Sequence, residues 1–202
     1  MIKQRMAYCF VSVVLGLGVF CTSAHGGLQI EDGMWRTELN SDFGVHQGSR
    51  NRSGDVSVSG FVDYEVPATP HTTLSLRLMP LFVYTQDGGE DEHRWFRGVF
   101  HDDGDDDDDT VWGAGLGVVG RVYQVKDEYR GWYGEAGVTA FLHDNEFVGN
   151  NSNLNFLTTF GVGYQFKSDW HIQLHYQHIS NASLGSRNSG ANSLGLGIGY
   201  RF

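Results

Sequence analysis

From residue 170 to the end, apolar and polar positions alternate along the chain. Trp170, Ile172, Leu174, Tyr176, His178 and Ser180 fall on one parity, while His171, Gln173, His175 and Gln177 fall on the other. Side chains two apart on a strand share a face, so this is a strand with one apolar face that turns chemical at its end. The return strand, 192–202, repeats the pattern: Asn192, Leu194, Leu196, Ile198, Tyr200 and Phe202 share a parity, and glycines and Arg201 fill most of the other. His178, Ser180 and Asn192 therefore point to the apolar side.

The same period of two predicts six earlier strands, over 34–46, 55–64, 72–84, 111–123, 131–143 and 155–166. In the first, Trp35, Leu39 and Phe43 oppose Arg36, Glu38, Asn40 and Asp42; in the third, Leu74, Leu76 and Leu78 oppose Ser75 and Arg77, with Pro80 marking a bulge or bend. The segment 66–71, with two prolines, reads as a short turn. Connections alternate in length: 47–54, 85–110, 144–154 and 181–191 on one side, tighter turns on the other.

Eight strands with an apolar face, an opposite face too polar for one wall of a sandwich, and long and short loops in alternation describe an all-β fold, an antiparallel up-and-down transmembrane β-barrel of the bacterial outer membrane. Trp170, Tyr200 and Phe202 belong to the aromatic level at the periplasmic end. Eight residues separate Trp170 from His178, which at about 3.4 Å each and a tilt of roughly 40° climbs on the order of 20 Å, into the outer-leaflet region. A barrel this narrow is filled by its own side chains. Inward Glu38, Asp42, Arg77, Arg121, Glu135 and His175 are expected to pair with one another, because an unpaired buried charge is costly.

Composition adjusts this picture at the start of the chain. Residues 1–24 hold Lys3 and Arg5, an apolar run over 7–20 and Thr22-Ser23-Ala24, the pattern of a secretory signal peptide cleaved near Ala24; residues 25–202 form the barrel. Both cysteines, Cys9 and Cys21, fall within the signal, so the mature chain has no thiol chemistry, and Phe20 before Cys21 argues against a lipidation site. Without Lys3 and Arg5 the chain carries 12 basic against 24 acidic residues, which disfavours nucleic acid as a partner. Eleven of the acidic residues lie in 85–110. The run 105–109 reads as a solvated loop, its spacing fits no EF-hand, and no metal site is expected.

The chemistry is at the end of the seventh strand. A serine becomes a nucleophile when a histidine takes its proton and a third group fixes the imidazole. His178 and Ser180, two apart on one face, have Cα atoms roughly 6–7 Å apart, within reach of such a bond. A His-x-Ser pair alone more often marks two interfacial polar residues near a loop; its position toward lipid, where ionisable groups are usually functional, raises the catalytic reading. Asn181, Asn188 and Gly190 read first as turn residues, with an amide among them as the alternative donor of an oxyanion hole.

The run Gln177-His178-Ile179-Ser180-Asn181-Ala182, the run Asn188-Ser189-Gly190-Ala191-Asn192 and the terminal Tyr200-Arg201-Phe202 resemble the signature of the PagL-type lipid A 3-O-deacylases, also called acyloxyacyl hydrolases. Val111-Trp112, residues 132–137 and residues 161–164 are similar to barrel strands of the same family. The resemblance implies an esterase that removes the 3-O-linked acyl chain of lipid A in its own membrane, with no cofactor, Ser180 as nucleophile, His178 as general base and Asn181 beside them in the motif. Asn192 stands where the family's triad has a glutamate. An asparagine carbonyl orients a histidine but cannot stabilise the imidazolium by charge, which leaves activity lower, absent or supported by another acid. Two alternatives stay open: a non-catalytic small barrel in adhesion or envelope integrity, and an acyltransferase with a second lipid as acceptor. A monomer and a homodimer are both compatible with the sequence.

Overall fold

The computed structural model describes residues 32–46, 52–86, 110–145, 147 and 149–202. The predicted signal segment and most of the acidic loop, residues 87–109, lie outside the described residues. Eight strands follow one another around a closed antiparallel barrel: β1 Met34–Val45, β2 Val56–Thr69, β3 Thr72–Thr85, β4 Thr110–Val125, β5 Arg130–His143, β6 Leu154–Gln165, β7 Trp170–Ser180 and β8 Ala191–Arg201. The seam is β1 against β8, where Leu39 faces Ile198 and Val45 faces Asn192. Trp35 and Phe202 complete it by exchanging two backbone hydrogen bonds of 3.0 and 2.8 Å.

The alternation read from the sequence is the alternation of burial. On β7, His171, Gln173, His175 and Gln177 are buried while Trp170, Ile172 and Leu174 are exposed. Leu76, Leu116, Val162, Leu194 and Leu196 are also exposed, so the apolar wall lies on the outside, as a barrel in lipid requires. Cross-strand aromatic pairs mark the short-turn end: Trp35 with Tyr64, Trp132 with Tyr164 and Trp170 with Tyr200, at centroid distances of 4.9, 5.4 and 5.5 Å. Leu174, 60% exposed between Val162 and Leu196, sits in mid-wall. Leu174→Arg is therefore expected to cost about 2–4 kcal/mol of stability in a bilayer, and Leu174→Ala far less. Equal denaturation midpoints for the two variants in lipid vesicles would contradict a lipid-facing wall.

Two strand ends differ from expectation. The segment 66–71 is not all turn: β2 continues to Thr69, Pro67 pairs with Thr73, and a register shift between Pro67 and Thr69 absorbs the proline. A proline cannot donate to a ladder, so a bulge is where it is tolerated. At Pro80 the expected irregularity is present as a register shift between Met79 and Phe82. It turns Phe82 and Tyr84 inward, each at most 2% exposed.

The interior has two layers. Toward the short turns it is ionic. Arg77 grips Asp63 through two hydrogen bonds of 2.8 and 2.9 Å. Arg121 donates to Glu135 (2.7 Å), to Ser75 (2.8 Å) and to Asp63. His171 meets Glu38 at 3.0 Å and His175 meets Asp42 at 2.7 Å. The pairing expected of the inward charges is thus present, and it also recruits Arg36, Asp63, Glu65 and His171. Toward the loop end the filling becomes apolar, with Phe82, Tyr84, Phe141, Phe147, Leu157 and Ile179 in one cluster. The glycines of β8 make room for the ionic layer: a Cβ on Gly195 would strike Asp42 and His175, and one on Gly199 would strike His171.

Candidate active site

His178, Ser180 and Asn192 lie on the outer face at the loop end; the structure joins His178 to Asn192, and Ser180 stands two residues farther along the same strand. Thr158, His178, Asn192 and Val45 are successive cross-strand partners on β6, β7, β8 and β1, a row across the wall whose first three members are polar. Directly below it Phe160, Tyr176 and Leu194 begin the apolar band. Side chains directly opposite in an antiparallel pair have Cβ atoms about 4.5–5.5 Å apart, which is why the pairing of His178 with Asn192 becomes a side-chain contact. Nδ1–H of His178 donates to Asn192 Oδ1 at 2.6 Å. That bond puts the proton on Nδ1 and leaves Nε2 as the acceptor, the tautomer a general base needs.

The ring is held from a third side. A methyl group on Gly190 would lie 2.8 Å from His178 Cε1 and 3.0 Å from the Ile179 carbonyl oxygen, so only glycine lets the imidazole occupy this position. Ser180 is the last residue of β7, half-buried, opposite Phe156 on β6. Its hydroxyl makes no hydrogen bond among the described residues.

The turn after Ser180 is organised by asparagines. Asn181, wholly buried, accepts from Ser183 N through its side-chain oxygen (2.9 Å) and donates through Nδ2 to Arg187 O (2.8 Å) and Asn150 Oδ1 (2.9 Å). Its backbone N–H donates to Asn188 Oδ1 at 3.1 Å. Ala182 and Ser183 follow at φ of 49° and 66°, left-handed conformations that each cost a non-glycine residue about 1–2 kcal/mol. Asn181 and Asn188 tie the turn together through these bonds, and the donors of Asn181 are spent within it and on Asn150. Asn188 is different: its oxygen is engaged, and its Nδ2 has no partner among the described residues. Asn150, half of the contact with Asn181, comes from the asparagine-rich β5–β6 loop. Composition was its only signal in the sequence, because its partner lies 31 residues away.

Comparison with family models matches residues 61–201 to the family described as lipid A 3-O-deacylase (PagL). Comparison with curated protein sequences gave no match. Among solved structures, the outer membrane enzyme PagL shares 13% identity at a TM-score of 0.53, covering 82% of this chain and 98% of that one. Neisserial surface protein A shares 12% at 0.48, covering 87% and 98%. A de novo designed transmembrane β-barrel shares 9% at 0.47, covering 84% and 96%. At such identities the first of these likenesses speaks for the fold.

Proposed function

This chain belongs to the PagL family of lipid A 3-O-deacylases, and from that membership we propose that it hydrolyses the 3-O-linked acyl ester of lipid A by a Ser180/His178 mechanism on the lipid-facing wall of its barrel. The protein is one of the bacterial outer membrane, and its short turns face the periplasm as such barrels require. The observation that carries the proposal is the 2.6 Å bond from His178 to Asn192, which leaves Nε2 as the acceptor of a ring two positions before Ser180 on the same strand. The polar row lies at the upper edge of the apolar band, about 20 Å above the aromatic level. Lipid A carries its acyl esters at that depth, between sugar and hydrocarbon.

In the reaction, Ser180 Oγ attacks the ester carbonyl as its proton passes to His178 Nε2. The tetrahedral oxyanion takes a hydrogen bond from the free Nδ2 of Asn188. Collapse breaks the bond to the sugar oxygen, which leaves as the 3-hydroxyl with the proton from His178. Water, deprotonated by the same imidazole, then attacks the acyl-Ser180 carbonyl, releases the fatty acid and restores the serine. All these residues belong to one chain, so a second copy is not needed to complete the site.

A non-catalytic barrel, serving adhesion or envelope integrity, is favoured by one observation, the uncharged Asn192 where an acid would strengthen the base. Mass spectrometry of lipid A from cells expressing this chain separates the two. Loss of one hydroxyacyl group, abolished by Ser180→Ala, is the expected result; unaltered lipid A beside a folded barrel would make the non-catalytic reading correct.

A further inference from the structure

The turn that follows Ser180 is clasped by the β5–β6 loop. Ser189 N donates to Gly149 O (3.0 Å), Arg187 N to Asn151 Oδ1 (2.9 Å), Asn151 Nδ2 to Ser186 Oγ (2.7 Å) and Asn181 Nδ2 to Asn150 Oδ1 (2.9 Å). The last of these begins a directed chain of side chains. Asn150 Nδ2 donates to Asn155 Oδ1 at 2.7 Å, Asn155 Nδ2 donates to His143 Nε2 at 2.5 Å, and His143 Nδ1–H donates to Asn145 O at 2.7 Å. Asn181, Asn150, Asn155 and His143 are 0, 2, 0 and 7% exposed, so water does not compete for these bonds. At its far end the loop is anchored by Phe147, 1% exposed and edge-on to Tyr84 at 5.1 Å.

We propose that Asn150 is a positioning residue for the Ser180 nucleophile, holding Asn181, and through it the peptide that aims the serine, from a loop remote in sequence. The inference rests on the deacylase reading above. Ser180 ends its strand, so its direction is set on one side by the β6–β7 ladder and on the other by Asn181. Beyond Asn181 the chain enters the two left-handed residues Ala182 and Ser183, which relax unless surrounding contacts over-determine them. Position 150 must accept a hydrogen bond from Asn181 and donate one to Asn155. Asparagine does both, aspartate keeps only the acceptor, and alanine keeps neither.

The test uses the full-length protein folded in vesicles that contain lipid A, comparing wild type, Asn150→Asp and Asn150→Ala, with the folded fraction read from heat-modifiable electrophoretic mobility. A misplacement of about 1 Å costs a catalyst roughly 10²-fold, so kcat per folded barrel is expected to fall by about that factor in Asn150→Ala, with KM nearly unchanged and Asn150→Asp between the two. A fluorophosphonate probe should label Ser180 more slowly in the same order. If Asn150→Ala does not fold, Asn150→Asp and Asn151→Ala carry the test and must each lower kcat per folded barrel. Wild-type kcat per folded barrel in the folded variants, or losses that follow only the folded fraction, would overturn this inference alone. A wild type that leaves lipid A whole overturns the deacylase reading, and the inference with it.

Discussion

Ser180→Ala, His178→Ala and the double variant are expected to share one floor of deacylation, because members of a catalytic unit lose rate together rather than additively. Loss from the wild-type rate should be on the order of 10³-fold or more, the scale at which a serine nucleophile without its base falls back on binding and oxyanion contacts. The informative partner is Asn192. In serine proteases, replacing the orienting aspartate by asparagine costs about 10⁴ in kcat, and this chain presents the asparagine as its natural state. Asn192→Asp keeps the shape of the side chain and so the 2.6 Å geometry to His178, adding only the charge that stabilises an imidazolium. Asn192→Glu adds the charge with one more methylene, in a position only 9% exposed. Turnover is expected to rise with either carboxylate, by up to roughly 10²-fold where the geometry holds, measured as released fatty acid per folded barrel. A Ser180→Ala variant that still deacylates would remove the mechanism, and a fall in both carboxylate variants would remove Asn192 from the orienting role.

Arg121→Met should be the most damaging single change to the barrel itself. The guanidinium donates to Asp63, Glu135 and Ser75 and lies 3.7 Å from Glu65, all without access to water. Methionine fills much of the same volume but leaves Asp63 and Glu135 to Arg77 alone and takes the Arg121 ion pair from Glu65, and breaking a buried ion pair from one side costs about 3–5 kcal/mol. Arg121→Lys cannot make the same fork of bonds and should fall between. Adding Glu135→Gln to Arg121→Met removes one stranded charge and should recover part of the loss. Denaturant unfolding in lipid vesicles reads all three; Arg121→Met as stable as wild type would mean that the network contributes nothing net.

The outer wall was legible because lipid imposes a strict rule on one parity, and a period of two survives even where glycine or threonine interrupts it. Trp170, Ile172, Leu174, Leu194, Leu196 and Ile198 declare it without ambiguity. The interior was harder to read, because a filled lumen accepts either ions or rings. Arg77 and Arg121 announce an ionic layer, whereas Phe82 and Tyr84 face inward only because the bulge at Pro80 and Leu81 reverses the parity. The end of β2 departs from its sequence pattern for a similar reason: a proline signals a turn locally, and only the partner strand shows that pairing resumes beyond it. In the site, His178 and Ser180 stand two apart on one strand, and Asn192 becomes their neighbour through the hairpin register. Asn150 is marked only by the asparagine-rich composition of its loop, since the contact that gives it meaning joins two loops.

The seam between β1 and β8 has a temporal meaning. Asn192 stands with His178 on one side and Val45 on the other, so the orienting half of the proposed dyad is walled in only when the first and last strands meet. Before closure β8 has β7 alone for a neighbour, and Asn192 is open on the side that Val45 covers in the barrel. On the proposed mechanism the dyad has its full surroundings only in the closed barrel, so competence and closure are expected to arrive together.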